Sequence, residues 1–241
     1  MGERIRVQKA IARSGLMSRR AAEEAIAAGR VLVNGQPVVL GDRVDVDGDT
    51  VTIDGVPTPV NPGLETHLLN KPPGVISTAD DPQGRPTVLD LIDSDLRLYP
   101  VGRLDADSEG LILVSNDGEL TNRVTHPSFG ITKTYLVIVE GIPTAADIRS
   151  LREGVVLDDG PARAKTARFV DAHGDLAMVE VVMLEGRNRE VRRMMEHIGH
   201  PVSRLVRTAI GPITDPDLSP GDSRLLTAGE IRRLLESGTG E

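Results

Sequence analysis

Tyr99-Pro-Val-Gly-Arg-Leu-Asp-Ala-Asp-Ser-Glu-Gly-Leu-Ile-Leu-Val-Ser-Asn-Asp-Gly118 runs from a polar turn into an apolar run and out through a second turn. Arg103 and Asp105 stand in the first turn. Leu111 to Val114 has the unbroken apolar character of a buried strand, and Asn116-Asp117-Gly118 closes it. A carboxylate is thus set on a loop and backed by a strand, an arrangement that holds a reactive group still. Two other uses of these acids fail. Asp105, Asp107, Glu109, Gly110 and Ile112 follow the opening of an EF-hand calcium loop, but the position that needs a bidentate Glu is Asn116, and the flank reads as strand. Asp105 and Asp107 share one face of an extended chain, too close together to flank a sugar bond from opposite sides.

The chain of 241 residues has room for two modest domains. Its core must be aliphatic, because Phe129, Phe169, Tyr99 and Tyr135 are the only aromatic residues. That scarcity argues against a binder of single strands built on many stacking platforms. The absence of cysteine excludes disulfides, thiolate metal sites and cysteine nucleophiles, and fits a reducing compartment. No apolar stretch has the form of a signal peptide or a membrane span, so a soluble cytoplasmic protein is expected. The net charge of −8 opposes nucleic-acid binding only as a sum. Residues 1–30 hold seven basic side chains against three acidic ones, a local excess of +4. Arg187, Arg189, Arg192, Arg193, Arg204 and Arg207 form a second basic cluster, and both can bind phosphates locally.

Taken in order, residues 3–14 predict an amphipathic helix stopped by Gly15. Ser18 caps a second helix, Arg19 to Ala28, closed by Gly29. Val31–Val33 and Val38–Leu40 around Asn34-Gly35 predict a hairpin, and Val44, Val46, Val51 and Ile53 continue as short strands. Two basic helices before a small sheet resemble the S4 RNA-binding module. The likeness rests on Arg4-Ile-Arg-Val-Gln-Lys9-Ala-Ile-Ala, Ser18-Arg-Arg20 and Gly29-Arg-Val-Leu-Val-Asn-Gly35. It implies RNA contacts from Arg4, Lys9, Arg19, Arg20 and Arg30. The Pro/Gly-rich stretch from Pro57 to Gly63 reads as a linker, which divides the chain into domains 1–60 and 61–241.

In the second domain His67–Asn70, Leu111–Val114, Lys133–Gly141, Ala162–Val170, Leu176–Leu184 and Leu205–Ile210 read as strands. Val88–Ile92, Glu119–Thr125, a segment capped by Thr144 and running through Leu151, Arg189–Ile198 and a final capped segment from Thr227 read as helices. Residues 78–87 read as a mobile polar loop, and Glu236–Glu241 as a frayed tail. The mixture predicts an α+β fold with a mostly antiparallel sheet and flanking helices.

Asn70-Lys-Pro-Pro-Gly74, Pro100-Val-Gly-Arg-Leu-Asp105, Glu109-Gly-Leu-Ile-Leu113, Asn116-Asp-Gly118, His126-Pro127, Lys133-Thr-Tyr135 and Glu185-Gly-Arg-Asn-Arg189-Glu-Val-Arg-Arg-Met194 together resemble the RsuA/RluB type of ribosomal RNA pseudouridine synthase, in order and in spacing. Ser108 in place of Thr and Ile112 in place of Leu are minor departures. The resemblance implies a catalytic domain with a central antiparallel sheet. It also implies isomerisation of selected uridines in ribosomal RNA, preferably of the large subunit, with no metal or organic cofactor. It assigns Asp105 as nucleophile, Tyr135 as the residue facing the flipped uracil, and Arg192 as the cation partner of Asp105, with Arg189 as second choice. An enclosed carboxylate needs such a partner to stay charged. Leu205 is expected beneath the site, and Arg103, Arg189 and Lys71 against RNA. Lys71 is in no phosphate-binding P-loop, and His197 and His200 read as helix-end residues rather than a metal pair.

Ribosomal RNA or a pre-ribosomal particle is the expected partner. No apolar heptad seam calls for a dimer, and a monomer is expected. The alternatives are a small-subunit enzyme, a non-catalytic assembly factor using the same surfaces, and hydrolysis at a nucleoside bond. A binding module has no need of Asp105, Tyr135 and Arg192 together, and hydrolysis lacks a second carboxylate. Removal of residues 1–60 is expected to weaken RNA binding, with the loss sensitive to salt. Unchanged binding at low and at moderate salt would remove RNA from that domain's role.

Overall fold

The computed structural model describes residues 4–58 and 63–238. Its first element corrects the helix predicted from residue 3. Ile5 is buried between exposed Arg4 and Arg6, and that period of two belongs to a strand, β1 (Arg4–Arg6). The helix, α1 (Val7–Arg13), starts only where the buried positions become Val7, Gln8, Ala10 and Ile11. The Ser18 hydroxyl accepts from the Ala21 N–H and caps α2 (Arg19–Ala27). Short strands β2 (Val31–Val33), β3 (Gln36–Pro37), β4 (Arg43–Asp45), β5 (Val51–Ile53) and β6 (Val56–Thr58) follow.

The hairpin turn lies at Asn34-Gly35, both with positive φ. Its second strand is β3 and ends at Pro37, so Val38–Leu40 is not strand. Pro57 and Thr58, assigned to the linker from sequence, belong to β6, which pairs with β5. Residues 59–62 of that linker lie outside the described residues, as do residue 3 and residues 239–241 of the expected tail. One compact unit comprises Met1–Glu65 with Asp93–Leu98. Its core is aliphatic: Ile5, Val7 and Ile11 pack with Ile26, Val31, Val44 and Ile53.

The second unit comprises Thr66–Ile92 and Tyr99–Glu241. In chain order its elements are β7 (Thr66–Lys71), β8 (Tyr99–Val101), β9 (Glu109–Ser115), α3 (Gly118–Thr125), β10 (Lys133–Glu140), α4 (Ala145–Glu153), β11 (Val155–Leu157), β12 (Gly160–Ala162), β13 (Thr166–His173), β14 (Leu176–Met183), α5 (Glu190–His197), β15 (Val202–Ile210), β16 (Ser223–Leu225) and α6 (Ala228–Glu236). Val88–Leu91 is a single 3-10 turn rather than a full helix. Eight strands form one sheet in the order β13-β14-β10-β15-β9-β7-β16, with β8 also paired to β9. β11 and β12 form a separate hairpin that the sequence does not announce.

Every pairing in the sheet is antiparallel except one. β9 runs parallel to β15, with Glu109 opposite Val206 and Gly110 opposite Arg207. This short seam joins two halves, β13-β14-β10-β15 and β9-β7-β16. β9 is buried on both faces from Gly110 to Ser115, which explains its unbroken apolar run. Leu111 and Leu113 pack on Leu120 and Val124 of α3 and Leu234 of α6. Burying each such leucine contributes about 1.5–3 kcal/mol.

The seam closes only because residue 110 is glycine. A Cβ there would lie 2.3 Å from the Arg207 carbonyl oxygen, and φ is +101°. Gly110→Ala is therefore expected to destabilise the protein by about 3 kcal/mol or more, read as a lower midpoint in urea denaturation. A midpoint within experimental scatter of the wild type would show that the seam can open without cost.

Candidate active site

Asp105 lies in the turn between β8 and β9, and the backbone of that turn is held from several directions. The Ser77 hydroxyl accepts from the Leu104 N–H at 3.1 Å and donates to the Leu104 carbonyl at 2.9 Å. The Ala106 carbonyl accepts from the Gly74 N–H at 2.7 Å and from Lys71 Nζ at 3.4 Å. Arg207 donates through Nη1 to the Arg103 carbonyl at 3.4 Å and through Nε to the Leu111 carbonyl at 2.6 Å. Arg192 donates through Nη2 to the Asp107 carbonyl at 3.2 Å. A turn pinned at residues 103, 104, 106 and 107 leaves the Asp105 side chain little freedom of position.

A cleft of about 160 Å³ opens over this turn. It brings together the predicted residues Arg103, Asp105, Tyr135, Arg189 and Leu205. Tyr135 and Leu205 are buried on β10 and β15 and form an apolar wall. The loop from Glu185 to Glu190 forms the opposite rim. Burial, with repulsion from Glu190, holds the Glu185 carboxyl above the usual range.

The cation beside Asp105 differs from the first expectation. Among the described residues, the ion pair to Asp105 comes from Arg189, whose Nη1 is 3.9 Å from Oδ2. Arg189 adopts the left-handed conformation (φ 48°, ψ 30°) as the N-cap of α5, which places its side chain outside the helix's own periodicity. Its Nη1 also lies 3.2 Å from both Asp107 carboxylate oxygens. Arg192 is inside the helix and buried. It reaches Asp107, Ser108 and the Val202 carbonyl rather than the Asp105 carboxylate.

A family model described as RNA pseudouridylate synthase matches residues 65–197, more than half of the chain. The chain belongs to the RNA pseudouridylate synthase family. A second model, the S4 domain, matches residues 5–51 of this synthase. A protein named uncharacterized RNA pseudouridine synthase in Mycobacterium leprae (strain TN) is 48% identical over 237 residues, 96% of this chain and 93% of that protein. Ribosomal large subunit pseudouridine synthase B of Bacillus subtilis (strain 168) is 42% identical over 234 residues, 95% of each chain. The protein of that name in Escherichia coli O157:H7 is 44% identical over 242 residues, 96% of this chain and 83% of its own. A pseudouridylate synthase of known crystal structure superposes with a TM-score of 0.67 at 31% identity, over 95% of this chain and 99% of that one.

Lys71 of the synthase needs correction as an RNA contact. Its side chain is fully buried, and Nζ donates to the carbonyls of Pro72 at 3.0 Å and Val75 at 2.7 Å as well as to Ala106. It therefore holds the Asp105 turn from below. In the N-terminal unit Arg4, Arg19 and Arg20 are exposed and Lys9 is half-buried, while Arg30 is ion-paired to Asp54. Sequence reasoning missed Ser77, and it named Arg207 only as a member of a phosphate-binding cluster rather than as a support of the turn. Arg207 carries a usable signal, because it shares the buried period-two face of β15 with Leu205 and Ala209.

Burial lowers the Lys71 pKa to about 8, partly offset by Asp107, Asp105 and Glu109. The unfolded chain titrates near the ordinary lysine value of 10.5. Between these values the unfolded state holds a proton that the folded state lacks, so stability rises with pH across that window. Below about pH 8 both states are charged and the burial penalty is present in full. Lys71→Met is expected to remove this rise, leaving the contribution of Lys133, which burial also lowers to about 8. Denaturation midpoints of both proteins at about pH 7.5, 9 and 10.5 check this. Parallel curves would refute it.

Proposed function

We propose that this synthase isomerises selected uridines of large-subunit ribosomal RNA to pseudouridine, with Asp105 as the nucleophile. The observation that carries the reading is a partly open carboxylate on an immobilised turn. It lies in one cleft with Tyr135, Leu205 and Arg189, in a chain of this family. The preference for the large subunit is supported by two relatives named for it, at 42% and 44% identity.

The reaction breaks the bond between uracil N1 and ribose C1′, turns the base, and joins C1′ to C5; C5 then gives up its proton, N1 ends with one, and the bond formed to Asp105 breaks to return the free carboxylate. Atoms balance without added water or a redox partner, so the reading needs no cofactor. An ionised Asp105 attacks either C6 of the base or C1′ of the sugar, and both routes are covalent catalysis. Arg189 offers that carboxylate a countercharge at 3.9 Å. Tyr135 presents a ring to the uracil and a hydroxyl that takes part in removing the C5 proton. Leu205 supplies the apolar floor. The target nucleotide must leave its stack to reach this depth, and Arg103, exposed at the rim, takes its place in the helix or holds a phosphate.

The S4 domain supports an RNA partner held at a second surface, and Arg4, Lys9, Arg19 and Arg20 are its candidate phosphate contacts. No described helix is long and apolar enough to cross a membrane. The reading places the synthase in the cytoplasm as a monomer acting on ribosomal RNA or its precursor particle.

Pseudouridine mapping of ribosomal RNA from cells lacking the protein tests this. One or a few large-subunit uridines are expected to lose the mark, regain it with the wild-type gene, and remain unmodified with Asp105→Asn. If no uridine changes, ribosomal RNA is not the substrate. Loss confined to the small subunit overturns the subunit assignment, and full restoration by Asp105→Asn overturns the nucleophile.

A further inference from the structure

Asp159 stands on the turn of the β11–β12 hairpin, outside the cleft, and no motif of the sequence singles it out. Its carboxylate gathers two arginines. Arg193 donates through Nη1 to Oδ1 at 2.8 Å and through Nη2 to Oδ2 at 2.9 Å. Arg187 donates through Nη1 to Oδ1 at 3.1 Å and to the Asp159 carbonyl at 3.3 Å. Arg187 Nη2 donates to the Pro161 carbonyl at 2.8 Å. Its Nε donates to Glu190 at 3.0 Å, and the same glutamate accepts from the Arg187 N–H at 3.0 Å. The Arg187 guanidinium is thus spent on internal acceptors along all three of its nitrogens.

These bonds bracket Arg189. Arg187 lies two residues before it, and Arg193 lies in the first turn of α5 after it. Arg189 sits between them in a left-handed conformation that a non-glycine residue holds only when its surroundings enforce it. The hairpin turn, acting through one carboxylate, fixes both flanks of the residue whose guanidinium faces Asp105. The Arg193 hydrogen bonds, with the charge of both arginines, hold the Asp159 carboxyl below its usual range.

We propose that Asp159 is a positioning residue of the synthase, which sets Arg189 against Asp105 by bracing residues 187 and 193 from the hairpin. This rests on the functional reading above for Arg189. The rival role is electrostatic masking, in which Asp159 only neutralises two cations that RNA phosphates would otherwise engage. The two roles differ in sign. Loss of a mask tightens RNA binding and leaves the chemical step alone. Loss of a brace slows the chemical step at saturating RNA, because small misplacements of a reacting group are costly.

The experiment compares wild type, Asp159→Ala and Asp159→Asn on ribosomal RNA from cells lacking the protein. It measures RNA affinity, single-turnover pseudouridine formation at saturating RNA, and amide hydrogen exchange over residues 186–193. For Asp159→Ala the rate is expected to fall about tenfold or more, with affinity unchanged or tighter and exchange accelerated over that segment. Asp159→Asn keeps the acceptor shared by Arg187 and Arg193, and is expected to lie between the two. It also serves as the test variant should Asp159→Ala fold poorly. A rate within twofold of wild type for both variants, or exchange identical to wild type, overturns the proposal. Wild type that forms no pseudouridine overturns the functional reading instead, and the exchange measurement alone then decides the brace.

Discussion

The parallel seam between β9 and β15 is the constraint on which the site depends. It is two residue pairs long, and it needs a glycine at 110 to let two backbones approach. One half-sheet carries the Asp105 turn and the lysine beneath it. The other carries Tyr135, Leu205 and, through the loop after β14, Arg189. The cleft exists because the halves meet. Two further contacts fasten the same line: Arg204 forms a bidentate pair with Glu109 at 2.9 and 2.8 Å, and Arg207 reaches the Leu111 carbonyl. The Arg204 guanidinium holds the Glu109 carboxyl below its usual range.

The arginines of this chain are largely spent on itself. Read as a string, the cluster from Arg187 to Arg207 suggests a basic face for phosphates. In three dimensions Arg187 and Arg193 close on Asp159, Arg204 closes on Glu109, and Arg192 and Arg207 are buried. Arg187 and Arg189 both line the cleft, and Arg189, its side chain 43% exposed, is the one paired to Asp105. Guanidinium suits this duty, since it stays charged when desolvated and offers several donors in a fixed plane. The same economy recurs where Arg224 joins Asp215 and Glu230.

Much of this was legible in the chain. The buried run of β9, the caps at Ser18, Thr144 and Thr227, and the strand carrying Tyr135 follow from local patterns that packing then respects. The failures are of three kinds. Arg4–Arg6 is a strand because its partner, β4, lies some forty residues on, and no local signal reports a partner. Arg189 and Arg192 exchanged places beside Asp105 because the resemblance that ranked them says nothing of backbone conformation, and Arg189 is left-handed and lies outside the repeat of the helix it caps. Lys71 illustrates a third limit. A lysine beside two prolines in a loop reads as exposed, and only the carbonyls of residues 72, 75 and 106, converging from separate segments, make its burial tolerable.

The seam also sets an order in time. β9 ends at Ser115, whereas β15 begins at Val202. A ribosome still short of Arg207 has already made the aspartate, its turn, Tyr135 and Arg189, but not the strand that joins them. The growing chain therefore carries those side chains before it carries the cleft. Contacts this far apart in sequence bear the full entropy of closing the intervening loop. The cleft can close only after the chain has been made through β15.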